Sequence, residues 1–257
     1  MTNSVYNMFL FHRIDRDIYD RLISHGTIPV VARNIVALLV WLDNIGVNVI
    51  PYLSNNFHDA VTFTRLTAEA ESILYCLRHD SPLPESPLAI PVIASLTTRS
   101  LNLDFFNFHR HEAIERIVET LAIGRLFFDD ALFATFRHYK EAMEDACRRN
   151  ATPPPMPAEL ARPFMPISLT ASVDERSLIV IFLSASPLTE REIVVYFQER
   201  WGNNCVERVA FEEMTSSSMH SCIMVVFKRE GYVALVLHGR VEFRLVINRK
   251  QVLARRA

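Results

Sequence analysis

The chain has 257 residues, of which 50% are hydrophobic and 22% are charged, and this composition excludes global disorder. The formal net charge of −2 at pH 7 excludes a generic binder of polyanions. Since a typical domain holds about 100–200 residues, we expect one large domain or two modest ones.

The charge is unevenly distributed along the chain. From Pro166 onward there are 12 Lys and Arg residues against 10 Asp and Glu residues, a net charge of +2. The residues before Pro166 include 15 basic and 19 acidic side chains, a net charge of −4. Because affinity for nucleic acid follows clustered cations, any such affinity is expected in the C-terminal part.

The cysteines and the apolar runs bear on the cellular location of the protein. The four cysteines are Cys76, Cys147, Cys205 and Cys222, and none lies in a CxxC or other zinc-ligand spacing. With no signal-peptide pattern, they predict unpaired thiols in an intracellular protein of the nucleus or cytoplasm. The most apolar run, residues 35–42, is shorter than the ~20 residues of a membrane span, so no membrane contact is expected.

Residues 1–149 have the pattern of an all-helical domain. Apolar residues recur at spacings of three and four over 30–44 and 58–79, which predicts two amphipathic helices. Further helices are predicted over 17–24, 89–98, 112–121 and 128–149, with a break near Gly124 between the last two. No segment before residue 150 has the alternating pattern of a strand.

Residues 150–166 read NATPPPMPAELARPFMP and contain six prolines. Proline lacks a backbone N–H donor and biases its neighbour toward extended geometry. The composition therefore predicts a semi-rigid linker with polyproline character. Alternatively, Pro154 and Pro157 form a P-x-x-P ligand for a domain that reads proline-rich peptides.

The sequence pattern changes to that of strands in residues 167–257. The run SLIVIFL over 177–183 predicts a central strand, and Thr189 with Glu192 forms a capping box that announces a helix. Strands are predicted over 205–214, 221–227 and 251–256, a short helix over 231–237, and an extra extended piece over 241–247. The order β-α-β-β-α-β predicts an α+β ferredoxin-like domain after the all-α domain.

This C-terminal segment resembles the RNA-recognition motif (RRM) in its element order and its turn residues. The resemblance is carried by LTEREI at 188–193, YF at 196–197, WG at 201–202, the buried third-strand positions Ile223, Val225 and Phe227, and His238-Gly239, where the family often has Asn-Gly. Through VALLVWLDNIG and HEAIERIVETL, the whole chain also resembles a poorly characterised group of plant proteins.

The resemblance implies an RNA-binding sheet, but the aromatic residues of the family are missing. RNA-binding members stack bases on aromatic side chains that face outward from the first and third strands. The corresponding positions here are Cys222 and Met224 in the third strand and, depending on register, Val180 or Phe182 in the first. Since stacking contributes ~1–3 kcal/mol per base, we expect weak binding.

Basic residues on or beside the last strand supply the remaining contacts in this interpretation. They are Arg249, Lys250, Arg255 and Arg256. In the family the last strand and the C-terminal tail contact RNA phosphates, so the resemblance implies phosphate contacts here. The alternative is a solvated edge that keeps a small domain soluble.

No pattern in the sequence supports an enzyme, a cofactor or a metal. His109 and His111 are two residues apart and have no third ligand nearby, and neither a Gly-rich phosphate loop nor a G-x-S-x-G motif occurs. We therefore expect a non-enzymatic RNA-binding protein with weak, phosphate-mediated contacts. The alternative is a protein-interaction module whose sheet binds a protein partner or the helical domain.

Overall fold

The N-terminal part of the chain is helical in a computed structural model that describes residues 4–55, 59–79, 90–164, 171–183, 188–212 and 222–257. Its helices are α1 (Val5–Phe11), α2 (Arg13–Ser24), α3 (Pro29–Asn44), α4 (Val49–Asn55), α5 (Ala60–Arg78), α6 (Pro91–Ser95), α7 (Leu103–Phe108), α8 (Arg110–Phe127), α9 (Asp130–Arg148) and α10 (Ala158–Ala161). The sequence did not predict the short helices α1, α4, α7 and α10, because a helix of one or two turns is too short to show a period.

Helix α3 is the centre of the helical region and packs against α2, α4, α5 and α8. It begins with Pro29 at its first position, where a missing N–H costs nothing, and Ile35, Leu38 and Leu42 are fully buried. Because apolar residues lie around most of its circumference, α3 has neighbours on several sides.

The predicted break near Gly124 is wrong, since α8 continues through this residue to Phe127. A Cβ atom at Gly124 would lie 2.6 Å from the ring of Phe128. Glycine is therefore required here for close packing of an aromatic ring.

Part of the predicted linker is folded against the helical region. Leu160 of α10 is fully buried, and α10 packs against α1 and α9. The N–H of Val5 donates to the carbonyl of Arg162 at 3.1 Å, and Ser4 pairs with Pro163 in an isolated β-bridge. Residues 158–163 thus belong to the packed structure, whereas residues 165 and 166 lie outside the described part.

The C-terminal region is an antiparallel sheet with two helices. Its elements after a 3-10 turn (Asp174–Arg176) are β1 (Ser177–Phe182), α11 (Glu190–Trp201), β2 (Val206–Glu212), β3 (Cys222–Phe227), α12 (Glu230–Leu237), β4 (Glu242–Ile247) and β5 (Lys250–Arg256). The predicted capping box is present, with reciprocal hydrogen bonds between Thr189 and Glu192 at the start of α11.

The strands form one sheet in the order β2-β3-β1-β5-β4. Strands β1 and β3 are direct neighbours. The extra extended piece is a full strand, β4, which pairs with β5 as a hairpin at one edge. The sheet therefore has five strands, and its order differs from that of a four-stranded RRM.

Both helices of the C-terminal region pack on one face of this sheet. Phe227 of β3 contacts Phe197 of α11 at a ring-centroid distance of 5.1 Å and Tyr232 of α12 at 5.7 Å. We call this side the helix-side face and the opposite side the outer face. The helical region packs on α11 and α12 through α3 and α8, so it lies beyond these helices and away from the outer face.

Arginine side chains connect the two regions by capping helix ends. The guanidinium of Arg78, the last residue of α5, donates to the carbonyls of Leu235 and Val236 in α12 at 2.7 and 3.0 Å. Arg200 of α11 donates to the carbonyl of Arg78 at 2.6 Å. Each arginine thus donates to carbonyl groups that the C-terminal end of a helix leaves unpaired. Its positive charge also interacts favourably with the negative end of the helix dipole.

These arginines keep their charge although they are buried. Arg78 is 6% exposed and Arg200 is 4% exposed. Burial lowers the pKa of each to about 10, and in Arg78 the positive charges of Arg240 and Arg200 add to this effect. At pH 7 both therefore remain charged donors.

A neutral histidine completes the junction. His238 at the end of α12 has φ of +46° and accepts a hydrogen bond from the amide of Asn34 in α3 at 3.0 Å, which requires an unprotonated Nδ1. Burial, with the nearby charges of Arg78 and Arg240, lowers the pKa of His238 to about 3. Burial also lowers the pKa of His79 to about 4.

Among the helices that the structure describes, no single one is long and apolar enough to cross a membrane. Helices α3 and α4 together have the length and apolar composition of a span, with a bend of 112° between them.

Replacement of Arg78 with Met is expected to destabilise the protein by about 3 kcal/mol, because it removes charged hydrogen bonds to buried carbonyls. Urea denaturation of the full chain measures this loss. The control is Arg137→Met, which removes an exposed arginine and should change the free energy of unfolding by less than about 0.5 kcal/mol. Equal losses in the two variants would contradict the capping role.

Stability is expected to fall as the pH drops from about 6.5 toward 3–4. The folded-state pKa values of His238 and His79 lie below the ordinary value of 6.5, so the unfolded chain binds protons first on acidification. Thermal denaturation across this range should show a shallower decline for His238→Asn, which removes one titrating group and tolerates a positive φ. An unchanged pH profile in this variant would exclude His238 as a source of the decline.

Candidate nucleic-acid interface

Strand alternation decides which side chains lie on each face of the sheet. In β1, Leu178 and Val180 point to the helix-side face, and Ile179 and Ile181 point to the outer face. The outer-face positions include Ser177, Ile179 and Ile181 of β1; Arg208 and Ala210 of β2; Cys222, Met224 and Val226 of β3; Glu242, Arg244 and Val246 of β4; and Gln251, Leu253 and Arg255 of β5.

The prediction that Val180 or Phe182 faces outward is wrong. Val180 is fully buried and Phe182 is 3% exposed, and both lie on the helix-side face. Their places on the outer face are taken by Ile179 and Ile181, which the sequence analysis missed. No signal could have found them, because every residue of LIVIF is apolar and the run has no alternation to fix the register.

The two predicted residues of the third strand do lie on the outer face. Met224 is half-buried and pairs with Ile179 of β1. Cys222 is only 2% exposed, and Val226 on the same strand is fully buried. Of these three positions, Met224 is the most exposed.

The structure does not bring the four predicted cations together. Arg255 lies on the outer face between Ile179 of β1 and Glu242 of β4. Arg256 pairs with Leu178 and therefore belongs to the helix-side face. Its charge acts on Glu230 of α12, where burial raises the pKa and Arg125 and Arg256 oppose this effect.

The other two predicted cations lie at the opposite end of β5. Lys250 pairs with Ile247 on the helix-side face, and its charge reaches Glu192. The pKa of Glu192 falls to about 2, first because it accepts the Thr189 N–H and then through Asn248, the Thr189 hydroxyl and Lys250. Arg249 lies in the turn between β4 and β5. At ~3.4 Å per residue, this turn is ~20 Å from Arg255.

Three arginines do share the outer face, namely Arg208, Arg244 and Arg255. All three are exposed, and within the described ranges none forms an ion pair. Arg244 could have been found from the sequence, because the run EFRLVI at 242–247 has an apolar residue at every second position. Arg208 could not have been found from the sequence, because the pairing of β2 with β3 shifts in register between Val206 and Arg208 and so changes the face on which later residues lie.

The outer face thus has an apolar strip between cations. The strip lies on the three central strands and consists of four half-buried residues, namely Ile179, Ile181, Met224 and Leu253. Arg208 flanks it on β2, and Arg244 and Arg255 flank it on β4 and β5. Among the described outer-face positions none is aromatic. This arrangement suits anionic groups at its borders and flat or apolar groups at its centre.

No protein-family model, curated protein or solved structure matches the chain.

Paired substitutions test the assignment of faces. Val180→Thr places a hydroxyl in the helix-side core and is expected to cost about 2 kcal/mol of stability. Ile179→Thr keeps a β-branched residue at a half-exposed position and is expected to cost less than about 1 kcal/mol. Chemical denaturation of both variants measures the difference. The reverse ranking would mean that β1 is shifted by one residue.

Proposed function

We propose that the C-terminal region is a divergent RRM-like domain whose outer face binds single-stranded RNA weakly. The observation that carries this proposal is the set of three exposed arginines around an apolar strip. The fold supports this proposal because the first and third strands, β1 and β3, are paired in the centre of the sheet. In RNA-binding members of the RRM family, these two strands carry the residues that contact RNA.

Phosphate contacts supply most of the affinity in this proposal. Arg208 and Arg255 lie on strands separated by two others, so they are ~14 Å apart at the usual strand spacing. Arg244 lies on the edge strand beyond Arg255. An oligonucleotide that crosses the sheet can therefore place phosphates at both borders of the strip and its bases over Ile179 and Met224.

The apolar strip limits the affinity and the sequence specificity. Isoleucine, methionine and leucine offer contact to a base but not the stacking that contributes ~1–3 kcal/mol per aromatic platform. Binding therefore depends on charge, tolerates many sequences, and weakens strongly with salt. No catalytic step is part of the proposal.

A second candidate is a protein partner on the same face. It is favoured by the same strip of Ile179, Ile181, Met224 and Leu253, because aliphatic residues with an arginine border are typical of the centre and rim of a protein interface. The helical region is not this partner in the described structure, since it packs on α11 and α12.

Fluorescence anisotropy of a labelled uridine oligonucleotide with the full chain tests the proposal. With three phosphate contacts, the logarithm of the affinity should fall against the logarithm of salt concentration with a slope of about −2. Arg208→Ala, Arg244→Ala and Arg255→Ala should each reduce the slope by about 0.7 and weaken binding at low salt. Arg137→Ala, an exposed arginine of α9, is the control and should change neither.

Absence of binding at low salt would overturn the RNA proposal, as would equal binding by a variant that lacks all three arginines. A protein ligand would respond differently. Its association would depend little on salt and would be lost in Met224→Glu, which places a charge in the apolar strip.

A further inference from the structure

The turn between β4 and β5 has an unusual backbone for its sequence. Ile247 pairs with Lys250, so Asn248 and Arg249 form a two-residue hairpin turn. Their φ angles are +48° and +65°, the sign pattern of a type I′ turn. Asn-Gly is the usual sequence of this turn, because glycine has no Cβ and asparagine tolerates the left-handed region. Arginine at the second position is therefore strained.

Among the described residues, no hydrogen bond, ion pair or ring contact of the Arg249 side chain compensates for this strain. The side chain is exposed. The turn is fixed by its other residue, since the amide of Asn248 donates to Glu192 at the start of α11 at 3.0 Å. The fold thus holds the turn in place without help from the arginine.

The turn lies where the outer face ends. Val246 and Gln251 pair across β4 and β5 on the outer face, and both are exposed. They occupy the space between Arg244 and the turn. A continuous exposed path therefore leads from the arginines of the outer face along the hairpin to Arg249.

We propose that Arg249 is an outlying phosphate contact that extends the RNA site along the β4–β5 hairpin to its tip. This inference rests on the proposed function. Strained backbone positions are common at ligand-binding sites, and the exposed guanidinium of Arg249 has no hydrogen bond, ion pair or ring contact with the described residues. The extended site runs ~20 Å from Arg255 to Arg249, with Gln251 as a polar contact between them.

The test is that one substitution should raise stability and lower RNA affinity. Arg249→Gly relieves the strain, so the melting temperature of the full chain should rise by about 2 °C. The same variant should bind a uridine oligonucleotide of about ten nucleotides roughly threefold to tenfold more weakly, with a salt slope reduced by about 0.7. Arg249→Lys keeps the charge and should retain most of the affinity.

Asn150→Gly is the matched control, since Asn150 is exposed at the end of α9 with φ of +54°. It should raise the melting temperature slightly and leave RNA binding unchanged.

If Arg249→Gly binds like the original chain while Arg255→Ala binds more weakly, the inference about the turn fails and the proposed function stands. If the original chain does not bind the oligonucleotide, both fail. If Arg249→Gly lowers the melting temperature, the arginine has a structural role and the inference is overturned.

Discussion

The structure depends on the hydrogen bonds by which buried arginines cap helix ends between its two regions. Arg78 closes the end of α12 and Arg200 closes the end of α5, so each region satisfies backbone groups of the other. An unpaired buried carbonyl costs about 1–3 kcal/mol, and several carbonyls lie at this junction. The relative position of the two regions is therefore set by polar contacts as well as by the apolar residues around them.

This junction also determines on which side of the sheet the helical region lies. Because the helical region packs on α11 and α12, the helices of the C-terminal region lie between it and the sheet. The exposed arginines Arg208, Arg244 and Arg255 all lie on the opposite side. The proposed RNA site is therefore remote from the helical region, whose part in the proposal is to hold the sheet and its helices in place.

The elements of the fold were largely predictable because their signals are local. The capping box at Thr189 and Glu192 announced α11, and the switch from helical periodicity to strand patterns located the sheet. The break at Gly124 was predicted wrongly because the reason for this glycine is a ring of Phe128 four residues away in a packed core. The faces of the sheet were predicted less well, since Cys222 and Met224 lie on the outer face as expected, whereas Val180 and Phe182 lie on the helix-side face.

The sequence by itself determined that a helical region precedes a region of strands and helices, and that the predicted outward positions of the third strand, Cys222 and Met224, are not aromatic. The tertiary structure alone decided the register of β1, the added edge strand β4, and the division of the basic residues between two faces and two ends of the hairpin. The physical reason is that a strand shows its faces only when it alternates, and an apolar strand such as β1 does not. Arg208 and Arg255 are far apart in the chain and lie on the same face of the sheet because of the way the strands pair.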